Sequence, residues 1–233
     1  MRTLGQLLLC IVVVPFVTSA QASATDPGLP GQGSQSAGTS RDRLFYTLPN
    51  FLTVENGDKL PPLTAGEKFK VTARSTFDPV QVFWYGAQSG INQAGNSEAG
   101  YGQGASGYAK RYAASAADGT IENFMTAAVL PSLLHQDPRY YQSGRGGFWR
   151  RTGYAVSRVV LTRSDSGHSQ LNYSEIFGSA SSATISNFSY HPQEDRNLTN
   201  ALSVWRTQVG YDALSYTIKE FWPDIRRKLR KAK

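Results

Sequence analysis

The segment Ser143-Gly-Arg145-Gly146-Gly147-Phe-Trp-Arg150-Arg151 sets three arginines and three glycines where a helix should begin. Cations at a helix N-terminus oppose its macrodipole, at roughly 0.3–1 kcal/mol each. An anion gripped by backbone amides and guanidinium groups would reverse that penalty. A lipid or nucleotide phosphate, or a carboxylate, has the right chemistry, and Arg139 and Tyr140 just upstream would extend the site. The competing reading is that the arginines point into water and the glycines only make the turn.

A second constellation is His135-Gln-Asp137-Pro-Arg139, which puts a base, an acid and a cation on one short loop. A metal-independent hydrolase could use His135 as general base and Asp137 as its orienting acid, with Glu175 or Asp165 as a further carboxylate. Asp137-Pro138 is equally an ordinary turn signal, and no GxSxG elbow supplies a nucleophilic serine. The histidines, His135, His168 and His191, follow successive helical stretches, so His168 falls at the opposite pole of an up-and-down bundle. His135 and His191 could share a pole with Asp137 and Glu194, but no HExxH spacing supports a metal, and none is expected. No cofactor is expected either. Asp212 falls on an apolar helix face and needs a partner, for which Arg158 and Lys110 are the candidates.

The C-terminal stretch FWPDIRRKLRKAK joins aromatic and aliphatic anchors to six basic residues. Trp222, Arg226, Arg227, Lys228 and Arg230 are the expected contacts with an anionic membrane surface, against the alternative of a solvated, frayed terminus. Formal net charge is +7, much of it in this stretch.

Residues 1–22 carry a charged start at Arg2, an apolar run from Leu7 to Val17 and the small-x-small pattern Ala20-Gln21-Ala22. They read as a secretory signal peptide. Cys10 is the only cysteine and leaves with it, which excludes disulfides, thiolate metal sites and a cysteine nucleophile from the mature chain. A basic exported protein meets anionic lipid and acidic glycans before nucleic acid, and no nucleic-acid partner is expected.

The elements that must position these groups are helical. Residues 23–42 are a Gly/Ser/Gln/Pro leader expected to be disordered, and residues 43–233 a single helical domain. That domain opens with an extended, proline-broken strap to Pro62, in which Asn56-Gly57 could turn a short hairpin. Thr64-Ala-Gly-Glu67 is a capping box and Asp78-Pro79 a capped helix start. Pro131 should kink or end a later helix. The stripe Phe148, Thr152, Ala155, Val156, Val159, Val160 predicts helix through Val160. A hairpin around Ser166-Gly167 is the less favoured alternative there. Small residues dominate a helix over Asn172–Tyr190, and Pro223 should stop the last helix at Trp222. The fold class is all-α, a compact multi-helix bundle. Charge-free runs such as Pro79–Ser97 are too polar to read as membrane spans, and their small-residue faces allow packing within one chain or in a homo-oligomer.

Taken together, GYGQGASGYAKRY, LPSLLHQDPRYY, YAVSRVVLTRSDSGH, LNYSEIFGS, ISNFSYHP and KEFWPDI resemble a family of exported bacterial envelope proteins of unknown function. The likeness runs from Leu44 to Leu229. It implies an envelope location, periplasmic or outer, and a single domain, but no reaction and no ligand. The expectation is an exported, non-enzymatic, peripherally membrane-associated protein that binds an anionic or lipidic ligand near Arg145, Arg150 and Arg151. The hydrolase of envelope lipid or glycan is its alternative.

Overall fold

The computed structural model describes residues 52–54 and 60–231. The signal peptide, the leader and most of the strap, Asn56-Gly57 included, lie outside the described residues. Every described residue belongs to one compact unit, Ser36–Lys233.

Helix α1 (Ala65–Thr76) starts as its capping box dictates: Glu67 N donates to Thr64 Oγ1 at 3.3 Å and Thr64 N to the Glu67 carboxylate at 2.8 Å. Helix α2 (Pro79–Ala94) begins on Asp78, whose carboxylate accepts from Val80 N at 3.0 Å. After a 3-10 turn at Ala99–Tyr101 comes α3 (Gly104–Phe124). It widens into a π-helical turn at Met125–Val129 and resumes as α4 (Leu130–Leu133). Pro131 explains the widening, because its ring crowds the carbonyl four residues back and removes a ladder hydrogen bond.

Strand β1 (Thr53–Val54) pairs in parallel with β3 (Tyr140–Tyr141), so the described part of the strap is extended. Strand β2 (Gln136–Asp137) pairs antiparallel with β4 (Leu161–Ser164), which pairs with β5 (Ser169–Leu171). Helix α5 (Phe148–Ser157) therefore ends before Val160, and the hairpin is the correct reading of the stretch that follows. Gly167, at φ +87°, makes the turn, and its N–H donates to Ser164 O at 2.8 Å. The β-branched Val159, Val160 and Thr162 suit either period, so spacing alone misleads here.

Helix α6 (Tyr173–Ser189) is capped by Asn172, which accepts from Glu175 N at 3.1 Å. The last helix, α7 (Leu198–Lys231), runs straight through Pro223, a correction to the expected stop at Trp222. Proline leaves the Lys219 carbonyl without its i+4 donor. The Gln142 side chain takes over, donating to Glu220 O at 2.7 Å and to Lys219 O at 3.4 Å, and the Arg151 guanidinium also donates to Glu220 O. Tertiary donors thus replace the missing helical one.

Helix α3 lies between α2 and α6, α6 between α3 and α7, and α5 against α7. The interior is polar. Ser89, Ser179, Ser182, Ser186 and Asn187 are fully buried, while Phe77, Phe83, Phe177 and Phe188 are exposed. No described helix is long and apolar enough to cross a membrane.

The small residues of α6 are there for close approach. A Cβ added at Gly178 would lie 2.9 Å from Thr126 Cγ2 and 3.1 Å from the backbone of the π-helical turn. Gly178→Val should lower stability by about 2–3 kcal/mol, several degrees in thermal unfolding. Gly153→Ala, where a Cβ meets nothing within 4 Å, should leave the melting temperature unchanged or raise it. Equal melting temperatures for Gly178→Val and wild type would show that the contact is not tight.

Candidate functional site

At one end of the bundle the arginine loop and the end of α7 are locked together. Arg151, in the first turn of α5, is buried. Its Nε donates to Glu220 Oε1 at 2.9 Å and its Nη1 to Asp224, an ion pair on each. Glu220, fully buried, also accepts from Tyr140 Oη at 2.7 Å, Ser143 N at 3.0 Å and Gly144 N at 2.9 Å. Phe148 stacks on Phe221 with ring centroids 5.2 Å apart, and the Arg151 guanidinium lies 4.4 Å above the Phe221 ring.

Outside this lock everything from Gly144 to Arg150 is exposed, Trp149 at 82%. Neither Arg145 nor Arg150 has an ion-pair partner among the described residues. Asp224 touches both Arg151 of the loop and the exposed Arg227, and Lys228, Leu229, Arg230 and Lys231 continue the exposed face. Two sequence features more than seventy residues apart thus form one basic, aromatic surface. Gly146 sits at φ +96°, a conformation that disfavours any side chain, whereas Gly147 is an ordinary extended helix-start residue at φ −75°.

Three expected ligand-binding residues do not face outward. Arg151 is spent on Glu220 and Asp224. Arg139 is buried and grips Asp137 through Nε at 2.9 and 3.0 Å and Nη2 at 2.7 Å. Tyr140 is buried with its hydroxyl on Glu220. Trp222, expected at the membrane, is 1% exposed because it lies on the inner face of α7, and Trp149 is the aromatic that projects instead. Arg226 is half-buried.

The hydrolase constellation is not assembled. The His135 side chain is 86% exposed and has Asp165 as its carboxylate neighbour, at 4.0 Å. Asp137 is buried and engaged by Arg139 and by Tyr141 Oη at 2.8 Å. Glu175 lies in the interior on α6. Among the described residues no group of three or more His, Cys, Asp or Glu side chains could hold a metal.

A cavity of about 120 Å³ opens between α3, α5, α6, α7 and the strands. Asp212, Tyr216 and Lys219, spaced i, i+4, i+7 on α7, line it with Glu175, Arg158 and Arg163. Asp212 pairs with neither proposed cation. Its hydrogen-bond partner is Glu175, and Lys219 supplies the nearby charge. Burial, then the Asp212 charge, pushes the Glu175 carboxyl well above the usual range, so the pair holds a proton. Burial and Asp212 likewise raise the neighbouring Glu122 to about 9, and burial lowers Lys219. Sequence reasoning missed Glu122, Arg158 as a cavity group, Arg163 and Lys219. The helical spacing of Asp212, Tyr216 and Lys219 was the available signal.

Sequence reasoning also missed the environment of His191. Its Nδ1 is 2.7 Å from Glu98 Oε1, and its Nε2 is 2.9 Å from Ser186 Oγ and 3.3 Å from Asp118 Oδ2. This looks like a serine–histidine–acid relay but cannot work as one. Burial opposes the charge, yet hydrogen bonds to Asp118 and Glu98 outweigh it and raise the imidazole to about 10. An imidazolium at neutral pH accepts no proton, and Ser186 is fully buried.

No protein-family model, curated protein or solved structure matches the chain.

The raised groups set how stability depends on pH. His191 gains protonation on folding, so its contribution is complete below about 6.5 and lost as pH climbs towards 10. Glu122 acts in the same direction between about 4.5 and 9, since the unfolded chain releases a proton that the folded chain retains. Denaturant unfolding should therefore show stability falling steadily from pH 5 to pH 10. His191→Gln should flatten the upper part of that curve, removing on the order of 3 kcal/mol at pH 6. A profile that rises with pH would contradict both assignments.

Proposed function

We propose that this chain is an exported, non-enzymatic envelope protein that lies peripherally on an anionic membrane surface. The lipid headgroups are its anionic ligand, and the arginine loop and the basic end of α7 are its point of contact. The observation that carries the reading is the lock of Arg151 on Glu220 and Asp224, which joins Arg145, Trp149 and Arg150 to Arg227, Lys228, Arg230 and Lys231.

Each cation near an anionic leaflet is worth about 1 kcal/mol. A projecting tryptophan suits the headgroup region, where its ring is half solvated and its N–H finds acceptors. Uncompensated arginines beside exposed aromatics also lack a structural reason to be there, because the lock is complete without them. Export rests on the pattern of residues 1–22, and the envelope location is in keeping with the likeness to exported bacterial envelope proteins. Nothing in the arrangement of His135 and Asp137 favours hydrolysis.

Cosedimentation with vesicles of anionic and of zwitterionic lipid, at low and high salt, tests the proposal. Binding should require anionic lipid and weaken as salt shortens the screening length. Arg145→Gln/Arg150→Gln and Lys228→Gln/Arg230→Gln should each weaken it about tenfold, and Trp149→Ala should do so at either salt. Equal binding to both lipids, or none at all, would sink the reading.

A further inference from the structure

The cavity is a second place where charge lacks a counterpart, and none of the exposed residues of the arginine loop or of the end of α7 lines it. Arg158, the C-cap of α5, lies over the Tyr154 ring at 4.7 Å, and Arg163 of β4 lies over the Tyr141 ring at 4.1 Å. Tyr154 Oη donates to the Tyr141 carbonyl at 2.7 Å, so two linked tyrosines hold two guanidinium groups along one wall. Neither arginine has an ion-pair partner among the described residues, and Arg158 Nε is buried without an acceptor. A buried donor left unmade costs about 1–3 kcal/mol, more on a charged group. A carboxylate removes that cost with two parallel N–H···O bonds on a planar fork.

The facing wall carries Glu175, hydrogen-bonded to Asp212, with Lys219 beside them. Glu175 is 5% exposed and lines the same cavity as the unsatisfied guanidinium. Its carboxyl group, joined to Asp212 by one hydrogen bond, has acceptor capacity left for a hydroxyl on a ligand. A doubly charged phosphate would face Asp212 and be repelled, whereas a singly charged acid need not be. Tyr154 and Tyr216 are among the lining residues, and aromatic carbon there favours a ligand with a carbon body over an inorganic ion. The volume is of the order that accepts a benzene-sized molecule, roughly 150 Å³ in an engineered case.

We propose that this cavity binds a small hydroxylated organic carboxylate, its carboxylate held by Arg158 and Arg163 and its hydroxyl by Glu175. The site does not rest on the membrane reading, and it stands or falls independently of vesicle binding.

Isothermal titration of the purified chain with lactate and with 3-hydroxybenzoate is the test. Lactamide serves as the neutral counterpart and inorganic phosphate as the oxyanion control. At least one acid should bind once per chain, and Arg158→Gln and Arg163→Gln should each weaken that binding tenfold or more. Arg206→Gln, at an exposed arginine of α7 that does not line the cavity, should bind like wild type. Circular dichroism identifies any variant that fails to fold, in which case the other variant decides. Failure of both acids to bind overturns the proposal. So does undiminished binding in whichever variant folds, or equal binding of lactamide or phosphate.

Discussion

The contact of Arg151 with Glu220 is the one on which the rest of the structure turns. A carboxylate with no exposure to water is tolerable only when each of its lone pairs is used. Glu220 uses them on Arg151 Nε, Tyr140 Oη and the amides of Ser143 and Gly144. Those four donors come from α5, from β3 and from the loop between them. One side chain on α7 therefore sets the position of the loop, the start of α5 and the strand that receives the strap. The same neighbourhood supplies donors to carbonyls near Pro223, which is why α7 extends far enough to carry its basic residues beside the loop.

What was legible in the sequence is what depends on near neighbours. Thr64 with Glu67 and Asp78 with Pro79 each act within three residues, and both helix starts could be read from them. The all-α class followed from the helical period. The errors were of a different kind. Pro223 reads as a stop because nothing nearby shows that Gln142, far upstream, will supply a donor. Arg151 reads as free because Glu220 is 69 residues away. Trp222 and Trp149 both look like interfacial aromatics, and only packing decides which one turns inward.

The candidate sites divide along the same line. The loop and the tail are visible in the sequence as two separate cationic, aromatic features, but nothing in either stretch shows that they join. The cavity was almost invisible. Its arginines, lysine and carboxylates come from α5, β4, α6 and α7, and in the sequence only Asp212 stands out, as an acid on an apolar face. It found a second acid where a cation was expected, with one proton serving both.

The polar interior has a thermal consequence. Heat capacity rises on unfolding because apolar surface becomes wet, typically by about 12–15 cal/mol/K per residue, while newly wetted polar surface subtracts from it. Here serines and asparagine fill the contact between helices, and many phenylalanines already face solvent in the folded chain. Unfolding therefore wets less new hydrocarbon and more new polar surface than it would in a chain with an apolar interior. A smaller heat-capacity change flattens the curve of stability against temperature, so cooling costs this fold less than it costs one built on an apolar interior.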